Sequence, residues 1–325
     1  MRAYLAAVGG FVFLTVVLLP TLLVLPQGTT PPEPPTLASV PRLEVCVFRT
    51  ATGQLVRVEL EEYVLGVLGT EMPANFAMEA LKAQAVAART YACRRLRYFG
   101  GQGCERHPQA DVCDDPNHCQ GWLPTQALLD RWPSHEAARN LSRLAEAVAA
   151  TRGLILTYRG LIIDPVYHST CGGHTADSSS VWGRAEPYLV GVPCAWDRHS
   201  PHYRTERRFR YQELAALLGE PAVPVWASSD TTPALAADRS GRLMFLRWGD
   251  RTWSGTQLRQ LLELPSTRLV WRAEEDGVVI ITYGSGHGVG LCQYGADGLA
   301  RAGYDFRQIL QYYYQGVQVV PLFGE

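Results

Sequence analysis

Within one short stretch lie a carboxylate, Glu71, two cations, Lys82 and Arg89, and four residues of metal-ligating type, His107, Cys113, His118 and Cys119. A carboxylate becomes a proton donor and acceptor near neutral pH when burial lifts its pKa. Two imidazoles and two thiolates form the ligand set of a closed tetrahedral zinc site, which leaves no position for a water nucleophile. Such an ion would be structural, ordering its loop without entering the chemistry. The spacing also fits a Cys113–Cys119 disulfide in an oxidising compartment, and spacing alone does not choose between the two. Lys82 and Arg89 are seven residues apart, on one helix face to within about 20°. That face either grips oxygens of a sugar polymer or is simply solvated. Tyr91 fits the wall of a groove or the core.

Two Gly-rich stretches lie further along, His168-Ser169-Thr170-Cys171-Gly172-Gly173 and Gly284-Ser285-Gly286-His287-Gly288-Val289-Gly290, the latter leading into Gln293-Tyr294. Neither has the spacing or the Gly-Lys-Ser/Thr ending of a phosphate loop. Both expose backbone that can hydrogen-bond a polar ligand, making Ser169, Gly172, His287, Gln293 and Tyr294 candidate substrate contacts. Ser169 lacks the G-x-S-x-G setting of a hydrolase nucleophile. Cys171 and Cys194 bracket a polar loop and read either as a bridge or as two small buried hydrophobes. Cys292 lies among glycines, with His287 the nearest base in sequence.

The elements that must hold these residues read as α+β: mixed helices and short β-hairpins around a substrate groove. A strand over 43–48 pairs through a turn with 55–60, and a short helix covers 61–68. The surest helix runs from Glu79 to about Arg97, rich in Ala and free of Gly and Pro. Residues 99–120 read as a long loop, which inside a folded body calls for a function or a staple. Further helices are expected over 135–151, 211–218, 254–262, 293–302 and 306–313, with strands over 154–158, 161–165, 243–248 and 278–283. Residues 204–275 lack acid/base clusters and read as a smaller inserted α/β subdomain.

The chain has 325 residues and a formal charge of −1, so nothing global points to nucleic acid. No charged residue occurs from Ala3 to Leu25, long enough for a transmembrane helix over 1–26, with a cleaved signal peptide as the alternative. The Pro-rich stretch 27–40 reads as an extended linker to a body over 41–325. This organisation predicts a single-pass membrane protein with an extracytoplasmic body.

Glu71-Met72-Pro73, Glu79-Ala80-Leu81-Lys82-Ala83-Gln84-Ala85, Ala88-Arg89-Thr90-Tyr91, Cys113-Asp114-Asp115 and His118-Cys119-Gln120 occur here in order with His168-Ser169-Thr170-Cys171-Gly172-Gly173. Together with Val181-Trp182-Gly183, Gly286-His287-Gly288-Val289-Gly290 and Ile309-Leu310-Gln311-Tyr312-Tyr313-Tyr314, they make residues 43–320 resemble the stage II sporulation protein D family (SpoIID/LytB, amidase enhancer). The resemblance implies a peptidoglycan lytic transglycosylase acting on stem-peptide-free glycan strands, in sporulation engulfment or wall remodelling. The alternative it carries is a non-catalytic peptidoglycan-binding activator of an N-acetylmuramoyl-L-alanine amidase. It also implies Glu71 as catalytic acid, Lys82 and Arg89 as residues needed for activity, and zinc on His107, Cys113, His118 and Cys119. An amidase and other membrane-anchored wall-remodelling proteins are the implied partners. Cys292 departs from the family pattern, where a small residue such as Ser is more usual.

Overall fold

A computed structural model describes residues 42–219, 234–248 and 251–323. The alternating run after Pro41 forms the antiparallel hairpin β1 (Glu44–Arg49) and β2 (Gln54–Glu59), with Glu44 opposite Glu59. Helix α1 (Leu60–Glu71) follows directly, with Glu61 and Glu62 in its first turn, where carboxylates complement the helix dipole. Pro73 ends it. A residue before proline is kept out of the helical region, and Met72 is extended at φ −122°, ψ 142°. Glu71 is therefore the last residue of a helix, three residues beyond the expected end of the short helix.

Helix α2 (Met78–Arg95) is the centre of the main core. Ala80, Ala83, Ala85, Ala87, Ala88 and Ala92 are all buried, and such small side chains allow close packing on every face. Down the chain follow β3 (Val112–Cys113), α3 (Thr125–Asp130), α4 (Ser134–Ala150), β4 (Leu154–Tyr158), β5 (Leu161–Ile162), β6 (Tyr167–His168), α5 (Ser178–Trp182), β7 (Arg204–Arg210) and α6 (Tyr211–Leu218). Then come β8 (Ala234–Ala237), β9 (Leu243–Trp248), β10 (Arg251–Ser254), α7 (Gly255–Leu261), β11 (Leu269–Ala273), β12 (Gly277–Tyr283), β13 (Leu291–Cys292), α8 (Gln293–Arg301), α9 (Phe306–Tyr313) and β14 (Gln318–Pro321). Helices α1, α4, α8 and α9 and strand β4 all pack against α2.

The strands form small separate sheets, in the orders β2-β1-β3, β14-β4-β5, β13-β6, β11-β12-β7 and β10-β9-β8. Two pairings decide the site. Parallel pairing of Phe48 with Cys113 docks the long loop against β1, and that of Cys292 with His168 sets the two Gly-rich stretches side by side. Strands β7 and β12 zip antiparallel, with Arg204 opposite Tyr283. The chain between them builds a second apolar cluster around Phe209, Leu214, Leu246, Leu258 and Ile280. Leu43–Glu325 nonetheless pack as one unit.

The architecture is thus mixed α+β with several sheets, but the expected transmembrane helix is corrected. Among the described residues no helix is long and apolar enough to cross a membrane. The longest, α2, spans 18 residues and carries Glu79, Lys82, Arg89, Arg94 and Arg95. Residues 1–26 and the Pro-rich linker 27–40 lie outside the described residues.

Candidate functional site

Glu71 faces a cleft of about 520 Å³, and it is the only carboxylate among the described residues that line it. Helix α1 delivers the side chain, and the loop after Cys119 closes over it: the Gly121 amide donates to Glu71 Oε1 at 2.9 Å. A glycine at 121 eases this approach, because a Cβ there would lie 3.2 Å from Glu71 Oε1 and 2.8 Å from Thr70 Cγ2 and would press on both. The side chain of Gln293, the first residue of α8, also hydrogen-bonds this carboxylate. Burial pushes the Glu71 pKa up, against the two hydrogen bonds, which favour the charged form. Its place at the negative end of a helix, with no basic residue in the last turn, favours the protonated form as well.

The cations facing the cleft are Arg95 and Arg259. Arg95 stacks 3.3 Å above the Tyr91 ring and pairs with Asp164 at 3.0 Å. Tyr91 itself lines the cleft, its hydroxyl directed to the His118 carbonyl at 3.4 Å. Gln120 is locked between Tyr63, which donates to it at 3.0 Å, and Tyr167, to which it donates at 2.7 Å. Trp182, 49% exposed, forms an apolar wall beside His287, at 5.2 Å between ring centroids. His287 Nε2 donates to the Tyr167 carbonyl at 2.9 Å and its Nδ1 accepts from the Val289 amide, which assigns a neutral ring. Burial pushes its pKa down to about 4. Burial also pushes the pKa of His168 well down; its Nδ1 donates to the Val289 carbonyl, and its buried Nε2 has no protein partner among the described residues.

Several expected contacts fall elsewhere. Arg89 is fully buried, its guanidinium forked onto Glu61 at 2.9 and 2.5 Å and bonded to the Leu154 carbonyl at 3.1 Å. It anchors α1 and the turn before β4 to α2, so it is corrected from a substrate contact to a structural ion pair. Lys82 pairs with Glu79 at 2.6 Å, and Glu79 in turn accepts from the Phe306 amide at 2.9 Å. Neither cation lines the cleft. Ser169 bonds Thr170, Gly172 donates its amide to Asp197, and Tyr294 packs edge-on to Phe76; none of the three lines the cleft, and Gln293 reaches it only through Glu71.

The metal-type cluster also changes membership. Cys104, Cys113, His118 and Cys119 bring their ligand atoms within 4.8 Å of one another. His107 instead stacks on Phe48, with ring centroids 3.7 Å apart, and is corrected from ligand to packing residue. His118 Nδ1 lies 3.4 Å from both Cys113 Sγ and Cys119 Sγ and 3.6 Å from Cys104 Sγ, while Cys119 Sγ and Cys104 Sγ are 3.9 Å apart. Bond lengths of about 2.3 Å to sulfur and about 2.0 Å to nitrogen give tetrahedral edges of about 3.5 to 3.8 Å, so the four residues fit zinc. None of the cysteines is in a disulfide. Asp114 fastens the adjoining loop, accepting from the Thr50 amide and from Arg49, each at 2.8 Å.

Sequence reasoning passed over Cys104, Arg95, Gly121 and Arg259. Cys104 alone carried a usable signal, as a further thiol in the loop that already held the other ligands.

The geometry defines a protein with one shielded acid in a polar cleft, and a cluster of three cysteines and a histidine in the loop that covers it. Comparison with known proteins gives the particular family. The Stage II sporulation protein family (SpoIID) matches residues 49–158, the span holding Glu71 and the four-ligand cluster. Stage II sporulation protein D of Bacillus subtilis (strain 168) is 34% identical over 277 residues, covering 85% of this chain and 79% of that protein. The protein of the same name from Bacillus amyloliquefaciens is 36% identical over 286 residues, covering 88% and 80%. The amidase enhancer of B. subtilis is 25% identical over 305 residues, covering 77% of this chain and 39% of that protein. The chain belongs to the stage II sporulation protein D family.

Proposed function

We propose that this protein is a peptidoglycan lytic transglycosylase that cuts MurNAc–GlcNAc bonds of stem-peptide-free glycan strands and leaves 1,6-anhydro-MurNAc ends. The observation that carries the reading is the solitary, shielded Glu71. Most glycosidases place two carboxylates across the bond, one as acid and one to activate water or attack the sugar. A cleft with a single carboxylate needs a nucleophile from the substrate, and the 6-hydroxyl of the muramic acid supplies one. Protonated Glu71 gives its proton to the departing glycosidic oxygen as the C1–O bond breaks. The resulting carboxylate then takes the proton of the 6-hydroxyl while that oxygen closes onto C1. One proton leaves Glu71 and one returns, so the enzyme is regenerated without water.

The surroundings fit these steps. Burial keeps the carboxyl protonated closer to neutral pH, and Gly121 and Gln293 steady the carboxylate formed between them. Arg95 and Arg259 are placed to hold substrate oxygens, and Trp182 offers an apolar ring face to a sugar. A zinc ion held by Cys104, Cys113, His118 and Cys119 would supply loop order and no chemistry. That loop carries Gly121 to the acid.

The names of the relatives, a sporulation protein and an amidase enhancer, support a role in wall remodelling during sporulation; a body that cuts glycan strands works outside the cytoplasm, where that substrate lies. The likeness to an amidase enhancer favours an N-acetylmuramoyl-L-alanine amidase as a partner that strips stem peptides first. Purified protein incubated with peptide-free glycan strands, followed by mass spectrometry, tests the catalytic claim. Anhydro ends from wild type and none from Glu71→Gln support it. Intact strands with wild type, alongside stimulation of an amidase, would instead establish the non-catalytic activator.

A further inference from the structure

Away from the cleft, Cys171, Cys194, Asp197 and Cys292 come together from three separate segments, all buried, with their ligand atoms within 4.8 Å of one another. We propose that they form a second, structural zinc site, independent of the cluster in the 104–119 loop. Three thiolates and a carboxylate at mutual separations of this size match one tetrahedral ion, with about 3.8 Å between sulfurs at a metal–sulfur distance of about 2.3 Å. Asp197 Oδ2 lies 3.1 Å from Cys171 Sγ and 3.7 Å from Cys292 Sγ.

Two observations point to an ion and not to ordinary packing. Asp197 is fully buried with no cationic side chain bonded to it, and its Oδ1 has no protein partner among the described residues. A buried carboxylate left this way is costly unless a cation compensates it. The sulfurs are also ringed by donors suited to thiolates. The Cys171 amide donates to Cys292 Sγ, the Gly173 amide to Cys171 Sγ and the Gly295 amide to Cys292 Sγ, each at 3.3 Å, and the Tyr313 hydroxyl lies 3.1 Å from Cys194 Sγ.

Shape and charge agree. A Cβ at Gly295 would come within 2.7 Å of Cys194 Sγ, so that glycine keeps the cradle open. Three thiolates and a carboxylate around a divalent ion leave two negative charges. Cys292 Sγ caps the positive end of α8, and the buried Arg242 donates to the Cys171 carbonyl at 2.9 Å, so both offset that charge. The ion ties the 171–173 turn and the 194–197 segment to the start of α8, the residue pair that ends in Gln293 beside Glu71.

The test is metal content of the full chain by inductively coupled plasma mass spectrometry. In a Cys113→Ser/Cys119→Ser background, the proposal expects about one equivalent of zinc per folded chain, lost on adding Cys171→Ser and Cys194→Ser. A folded background chain without zinc, iron in place of zinc, or an intact mass showing a disulfide among Cys171, Cys194 and Cys292 would overturn it. Should the background not fold, cobalt-loaded wild type decides. Cys292→Ser must weaken its sulfur-to-cobalt charge-transfer absorption and Asp197→Cys must strengthen it; spectra unchanged by both substitutions would refute the site.

Discussion

At the scale of single residues, Glu71 carries a cost that its chemistry requires. Burial raises its folded pKa above the unfolded value, so the charged form is disfavoured in the folded state. The sign follows from linkage: the folded chain binds this proton more tightly than the unfolded chain, and the stability tied to it is lost as pH rises through the raised pKa. Glu71→Gln removes that penalty. The variant should lose cleavage, keep glycan binding, and melt above wild type at pH 7. Its advantage should vanish below the ordinary glutamate pKa of about 4.3, as thermal melts across pH would reveal. Gly121→Ala is the companion case, since its Cβ would press on Glu71 Oε1 and Thr70. A contact of 3.2 Å displaces the carboxylate by a few tenths of an ångström, and rate is sensitive to the placement of a catalytic group. Steady-state kinetics should therefore show a fall in kcat with little change in KM.

Among secondary-structure elements, the helices were far more legible than the strands. Helix α2 announced itself through its Ala content, and 211–218 and 306–313 fall where the apolar spacing put them. Strands β3, β6, β7, β8, β10, β11, β13 and β14 were missed, as were the short helices α3 and α5. The run Arg204-Thr205-Glu206-Arg207-Arg208-Phe209-Arg210 is almost entirely polar, because β7 buries only Phe209 and takes its order from pairing with β12. Arg89 shows the same limit at the site. Its charge suggested an exposed face, yet a partner 28 residues earlier in sequence, Glu61, draws it into the core. Breaking a buried pair from one side costs about 3–5 kcal/mol. Arg89→Ala should lower stability by that order in urea titrations while the folded fraction binds glycan as wild type. Arg259→Ala should do the reverse, weakening glycan binding with a small change in melting temperature.

On the scale of the whole molecule, the site is assembled by contacts across long sequence separations. Gly121 reaches back to Glu71, and α8 brings Gln293 to the same carboxylate. The motifs named Glu71 and most of the cluster, but the choice between Cys104 and His107 depended on how the loop folds around β1. Phe48 holds the His107 ring by stacking, which leaves the fourth position to Cys104. Cys104→Ser should therefore reduce zinc bound by the 104–119 loop, whereas His107→Ala should leave it intact, as metal analysis of the two variants would establish. With zinc held there as proposed, chelation should lower activity through loss of loop order, visible as faster amide exchange around Gly121.

Digestion of peptide-free glycan in heavy-oxygen water, read by mass spectrometry of the new ends, puts the one-carboxylate reaction to its most direct test. Closure by the 6-hydroxyl predicts anhydro-MurNAc ends that carry no solvent oxygen. Reducing MurNAc ends bearing the label would mean that water attacks the sugar, and the account built on Glu71 acting alone would be wrong.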